Sequence, residues 1–124
     1  MKVNSIAFVG IPVTDMGRAR DFYEGVLGLQ PDPEMASEMW TEYPIGSGTL
    51  ALGCIGDQWK PSADGTSAAL EVESLPDAIA RLAERKVPFD EVDSPVCRMA
   101  VTQDPDGNKL IIHKLKTEKE KESV

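Results

Sequence analysis

Side chains able to bind a metal, attack a carbon or move a proton near neutral pH are few in this chain: one histidine, His113, and two cysteines, Cys54 and Cys97. Zinc and iron centres draw on nitrogen and sulfur donors, so such a centre would be short of ligands. The cysteines lie in the apolar contexts LGCIG and PVCRM with no C-x-x-C spacing, and read as buried free thiols whose redox state stays open. The tryptophans offer more. In EMWTEYP around Trp40, alternation gives one apolar or aromatic face, with Met39, Thr41 and Tyr43, and another carrying Glu38 and Glu42; Trp59 lies in a loop beside Asp57 and Lys60. Aromatic surfaces bordered by carboxylates bind flat or cationic compounds by stacking and charge attraction. Packing under a loop or at a dimer interface is the alternative use of the same residues. Arg98 either clamps a ligand carboxylate in a bidentate way or pairs with one of the chain's many acids.

These side chains must be positioned by a regular scaffold. SIAFVGIPV alternates and predicts a strand over 5–13, after which Asp15 is placed to cap a helix. Met16, Ala19, Phe22, Tyr23, Val26 and Leu27 recur at helical spacing, and Gly28 is the expected stop. Strands are predicted over 29–35, 39–45 and 49–55, the last two joined by the hairpin signal Gly46, Ser47, Gly48. The order then repeats: a strand over 66–72 and a helix capped by Ser74 with the stripe Leu75, Ala78, Ile79, Leu82, Ala83. Strands over 89–92, 96–103 and 109–114 follow, with the turn Asp104-Pro105-Asp106-Gly107-Asn108 between the last two. One constant offset separates Val13 from Val72, Asp15 from Ser74 and Gly48 from Gly107, which argues for two copies of a β-α-β-β-β unit. The expected organisation is a single domain over 1–114, with a first module over 1–56, a linker over 57–65, a second module over 66–114, and a charged, frayed tail over 115–124.

Composition bounds the partners. The 124 residues, 41% hydrophobic and 27% charged, suit one packed domain rather than a disordered chain. A net charge of −8 repels phosphate backbones and anionic lipid, which argues against nucleic acid and membrane partners. No apolar run approaches the roughly 20 residues of a bilayer span, and Gly10 and Pro12 interrupt the first apolar stretch, so no signal peptide is read and the expected location is the cytoplasm.

The segment IAFVGIPVTDMGRARDFYEGVLGL resembles the opening signature of the vicinal oxygen chelate superfamily, the glyoxalase, bleomycin-resistance protein and extradiol dioxygenase fold. DPDGNKLIIHK is similar to that family's closing turn and last strand. The resemblance implies an α+β fold of two β-α-β-β-β modules whose curled mixed sheets form a cleft, with helices outside, in proteins that are often homodimers. In the family's metalloenzymes it implies a divalent cation held by one side chain from the first and one from the last strand of each module. Those positions fall here at Phe8, Ala51 (or Gly53 with a register slip), Ser67 and Ile111, none a competent ligand. No metal or other cofactor is therefore expected.

On the same faces the resemblance places Ile6 and Gly10 beside Phe8, Ala69 and Glu71 beside Ser67, and Lys109 and His113 beside Ile111. That describes an apolar floor with a few polar groups at its rim, suited to an organic molecule. The expected ligand-binding residues are Phe8, Trp40, Trp59, Ser67, Arg98 and Ile111. Glu71 and His113 are the candidates for acid-base chemistry, against the plainer alternative that both are rim side chains. The expected function is a metal-free binding protein of the bleomycin-resistance type, holding a hydrophobic, aromatic or cationic compound. The alternative is a glyoxalase- or dioxygenase-like enzyme acting on a small carbonyl or enol substrate.

Overall fold

The computed structural model describes residues 1–122 and divides into two compact units, Met1–Ser62 and a second that begins at Ala63. In the first unit, β1 (Val9–Pro12) runs parallel to β3 (Gly48–Gly53), which pairs antiparallel with β2 (Trp40–Ile45), giving the order β1-β3-β2. The first strand is shorter than its alternation predicts: residues 1–8 precede it without regular structure, and Ile6 is 79% exposed rather than part of a floor. Asp15 caps the following helix by accepting from the Arg18 N–H at 3.0 Å. That helix, α1 (Met16–Arg20), widens into a π turn over Asp21–Val26 and stops at Gly28, whose φ of 74° suits glycine.

The strand expected over 29–35 does not form. Pro31 and Pro33 cannot donate to a ladder, and the Asp32 carboxylate caps a 3-10 turn (Pro33–Met35) through the Glu34 N–H; only an isolated bridge joins Ala36 to Thr41. The first sheet accordingly has three strands.

The second unit carries a four-stranded mixed sheet in the order β4-β7-β6-β5, built from β4 (Ala68–Glu71), β5 (Phe89–Asp93), β6 (Cys97–Gln103) and β7 (Lys109–Leu115). Helix α2 (Leu75–Glu84) begins at Ser74, whose hydroxyl accepts from the Asp77 N–H, and buries Leu75 and Leu82, while Ala83 faces solvent. The turn before β7 is built by a buried aspartate. One carboxylate oxygen of Asp104 accepts from the Asp106 and Asn108 N–H groups and the other from the Asn108 side chain, each at 2.9 Å. Beyond β7, Thr117 caps a short helix α3 (Glu118–Glu122), so most of the expected frayed tail is regular; its last two residues lie outside the described ones. Sheets of three and four strands with few helices make an α+β fold, as the sequence implies.

Each sheet has one face turned to its helix. Ile11, Leu50, Leu52, Thr41 and Tyr43 are buried on that face of the first sheet, with Tyr23 from the π turn stacked on Tyr43 at 6.2 Å. In the second, Ala100, Thr102, Leu110 and Ile112 are buried alike. The residues between them in each strand point the opposite way.

Candidate functional site

In the first unit, register decides what faces away from the helix. Gly10 pairs with Ala51, Pro12 with Gly53, Trp40 with Gly53 and Glu42 with Ala51, so these residues share one face. Phe8, two residues before Gly10, turns its ring edge to Trp40 at a centroid distance of 5.3 Å and remains 46% exposed. The surprise is Trp59. From the loop after β3 its indole comes back over the sheet, 6.3 Å from Trp40 and inclined by only 24°.

Two glycines make room for that ring. A Cβ on Gly10 would meet Trp59 Cη2 at 2.7 Å, and one on Gly53 would collide with Trp59 Cζ3 and lie 2.8 Å from its Cε3. Trp40 is anchored differently: its indole N–H donates to Glu42 Oε2 at 2.8 Å. The first unit therefore presents an aromatic face with a carboxylate on it, able to stack against a flat ring and attract a positive edge. Phe8, Trp40 and Trp59, three of the residues named as ligand-binding candidates, are brought together, and Trp40 shares its face with Glu42 rather than with Tyr43.

Behind this face lies a polar cluster that the sequence did not flag. Glu24 Oε2 accepts from Arg20 Nε at 2.6 Å and from the hydroxyl of the fully buried Tyr43 at 2.9 Å. The Arg20 hydrogen bond holds the Glu24 carboxyl below its ordinary range, while burial, then the bond to Glu24, pushes the Tyr43 hydroxyl up. The four-residue spacing of Arg20 and Glu24 was the available signal for half of this cluster.

In the second unit, Glu71 and His113 are ladder partners and meet at 2.6 Å, His113 Nδ1 to Glu71 Oε1. The second oxygen of Glu71 accepts from the Leu115 N–H at 2.9 Å, and the two contacts together lower its carboxyl below the usual range. Ala69, Met99, Val101 and Ile111 share this face with them, while Ser67 is half-buried just before β4. Arg98 is not with them. It projects from the other face beside Lys114, 3.8 Å from Asp93, at a cavity of about 560 Å³ that also touches Leu75 and Ile79.

The family's metal positions offer nothing to a cation. Phe8 presents an aromatic edge, Ala51 is fully buried without a donor, Ile111 is aliphatic and Ser67 supplies only a neutral hydroxyl. Among the described residues no group of three His, Cys, Asp or Glu side chains is arranged to hold a metal ion. Cys54 and Cys97 are free; Cys97 is buried beside Ser94, and Cys54 is half-exposed rather than buried. No helix among the described residues is long and apolar enough to cross a membrane.

Solved structures share this architecture. An antibiotic-binding protein, TnmS3, from Streptomyces sp. CB03234 is 26% identical, with a TM-score of 0.76 over 94% of this chain and 99% of that one. A lactoylglutathione lyase from Agrobacterium tumefaciens is 15% identical, with a TM-score of 0.73 over 91% and 95%. A glyoxalase/dioxygenase from Nostoc punctiforme is 20% identical, with a TM-score of 0.70 over 94% and 100%. No curated protein matches the chain. The family profile nevertheless matches residues 5–112, and the chain belongs to the Glyoxalase/Bleomycin resistance protein/Dioxygenase superfamily.

Proposed function

We propose that this protein binds a small organic compound without a divalent metal, and that the sheet face on which Phe8, Trp40 and Trp59 converge receives it. The observation that carries the reading is the convergence of three aromatic rings from separate chain segments on one sheet face, with the Glu42 carboxylate on the indole N–H of Trp40. Aromatic faces supply stacking area and the carboxylate favours a cationic edge, so the preferred ligand is aromatic and cationic. The likeness to an antibiotic-binding protein and the net charge of −8 support the same direction. Titrating the intrinsic tryptophan emission with a panel of flat cations tests it; saturable quenching is expected, and no response to any member would remove its support.

Homodimerisation and a cytoplasmic location belong to the same reading. Their supports are the resemblance, the edge position of β1 with Val9 exposed, and two free thiols that suit a reducing compartment. Sedimentation of the purified chain tests the first.

One contact favours a second reading, an enzyme acting on a small carbonyl or enol substrate. A carboxylate fixed by the Leu115 N–H and bonded to His113 Nδ1 would orient the imbalance of donor and acceptor on the ring, leaving Nε2 as a proton acceptor. On that reading His113→Ala abolishes turnover; unchanged turnover removes His113 from the chemistry.

A further inference from the structure

We infer that the Trp59 indole is a stand-in for the ligand: a flat fused-ring compound takes its seat on Gly10 and Gly53, and Trp59 swings out to admit it. The inference rests on the reading of the aromatic face given above and deepens it, naming both the shape of the ligand and the residue that competes with it.

The seat has no backbone explanation. Neither Gly10 nor Gly53 has the positive φ that calls for glycine, unlike Gly28, Gly46, Gly56 and Gly107. Glycine inside a strand weakens it, and commonly marks a place where another group approaches closely. Here the approaching group is a ring: the bare Cα atoms of neighbouring strands let six-membered ring atoms of Trp59 lie where any side chain would collide. A seat that accepts the six-membered ring of an indole accepts a similar foreign ring.

The two tryptophans are held unequally, and this decides which one moves. Trp40 is a strand residue whose N–H is fixed by Glu42. Trp59 follows a single 3-10 turn (Gly56–Gln58), its backbone N–H reaches the Gly56 carbonyl at a long 3.3 Å, and its indole N–H has no acceptor among the described residues. Leaving the seat costs Trp59 contacts but no side-chain hydrogen bond, and an incoming ring replaces those contacts. Once it is seated, Trp40 offers its face and Glu42 Oε1, which makes no hydrogen bond among the described residues, can accept from a cationic or N–H edge. The ligand class is therefore a planar fused-ring cation, rather than a compact ammonium ion or an aliphatic compound.

The probe is proflavine, with tetramethylammonium as a cation lacking a flat ring. Calorimetric titration of the wild-type chain and of Trp59→Ala gives the first measurement. If the open seat is a minor state, populated at roughly a tenth or less, removing the occupant tightens proflavine binding by about tenfold or more. Equal or weaker binding by Trp59→Ala overturns the inference, because Trp59 is then a bystander or a wall of the site, while proflavine binding by the wild type leaves the aromatic-face reading standing. Binding by neither protein overturns that reading itself, and tetramethylammonium binding as tightly as proflavine overturns the requirement for a flat ring. The second measurement does not depend on the variant folding. In wild-type protein labelled with fluorotryptophan, saturation with proflavine should move the Trp59 fluorine resonance to its solvent-exposed position; a Trp59 resonance that keeps its seated environment contradicts the exchange.

Discussion

The indole of Trp59 lies across Gly53, close enough that a single added methyl group at that glycine would overlap the ring. Gly53→Ala should therefore push Trp59 off the sheet while leaving the helix-side packing of Leu50 and Leu52 intact. The expected outcome is a red-shifted, more readily quenched tryptophan emission with a near-native far-UV spectrum. Emission identical to wild type would show that the ring does not rest on this glycine.

Tyr43 and Glu24 supply a prediction about stability. Tyr43→Phe removes a buried donor to a carboxylate that keeps its Arg20 partner, and should cost about 1.5–3 kcal/mol in urea denaturation, the range for hydrogen bonds to charged groups. Ligand binding should not change, since Tyr43 lies on the helix side of the sheet.

The same cluster fixes the direction of pH dependence at both ends of the scale. The Arg20 hydrogen bond keeps the folded-state carboxyl of Glu24 below the ordinary glutamate value of 4.5, so its stabilising contribution is present above that value and is lost as pH falls through the lower folded-state value. The Tyr43 hydroxyl is raised from 10.0, so its contribution is complete below pH 10.0 and is lost as pH rises further. Tyr43→Phe should flatten the alkaline limb of a stability profile; an unchanged limb would show that another group controls it.

Asp104 organises the closing turn with three accepted hydrogen bonds while buried. Asp104→Ala strands those donors and should cost about 2–3 kcal/mol, read from the denaturation midpoint. Asp104→Asn, which keeps one acceptor oxygen, should recover part of the loss.

For the second sheet, carbon NMR should place the Glu71 carboxyl titration below 4.5, with His113→Ala raising it, because the histidine contact is the larger of its two causes. An unmoved titration in that variant would mean the Leu115 N–H alone sets it.

Much of the scaffold was legible because it rests on local rules. The Asp15 and Ser74 caps, the Gly28 stop and the Asp104 turn each depend on a few consecutive residues, and each is present. The strand expected over 29–35 does not form because two prolines cannot donate to a ladder and the Asp32 carboxylate caps a 3-10 turn there instead. Sites depend instead on faces and loops. Alternation alone could not say that Arg98 points to the helix side of its sheet, since register is decided by the partner strand. Nor could it bring Trp59 back over β1 and β3, because a loop's path is not written in its own periodicity. Two glycines without a turn to explain them, Gly10 and Gly53, were the trace the ring left in the sequence.

On the proposed reading this face holds a flat aromatic cation, and Trp40 is its fixed element. Calorimetric titration of wild-type protein and Trp40→Ala with proflavine tests it most directly. Saturable binding to the wild type is expected, weakened at least about tenfold in Trp40→Ala because an aromatic stacking partner and its contact area are both removed. Binding of equal strength in the two proteins, or no binding to the wild type, would contradict it.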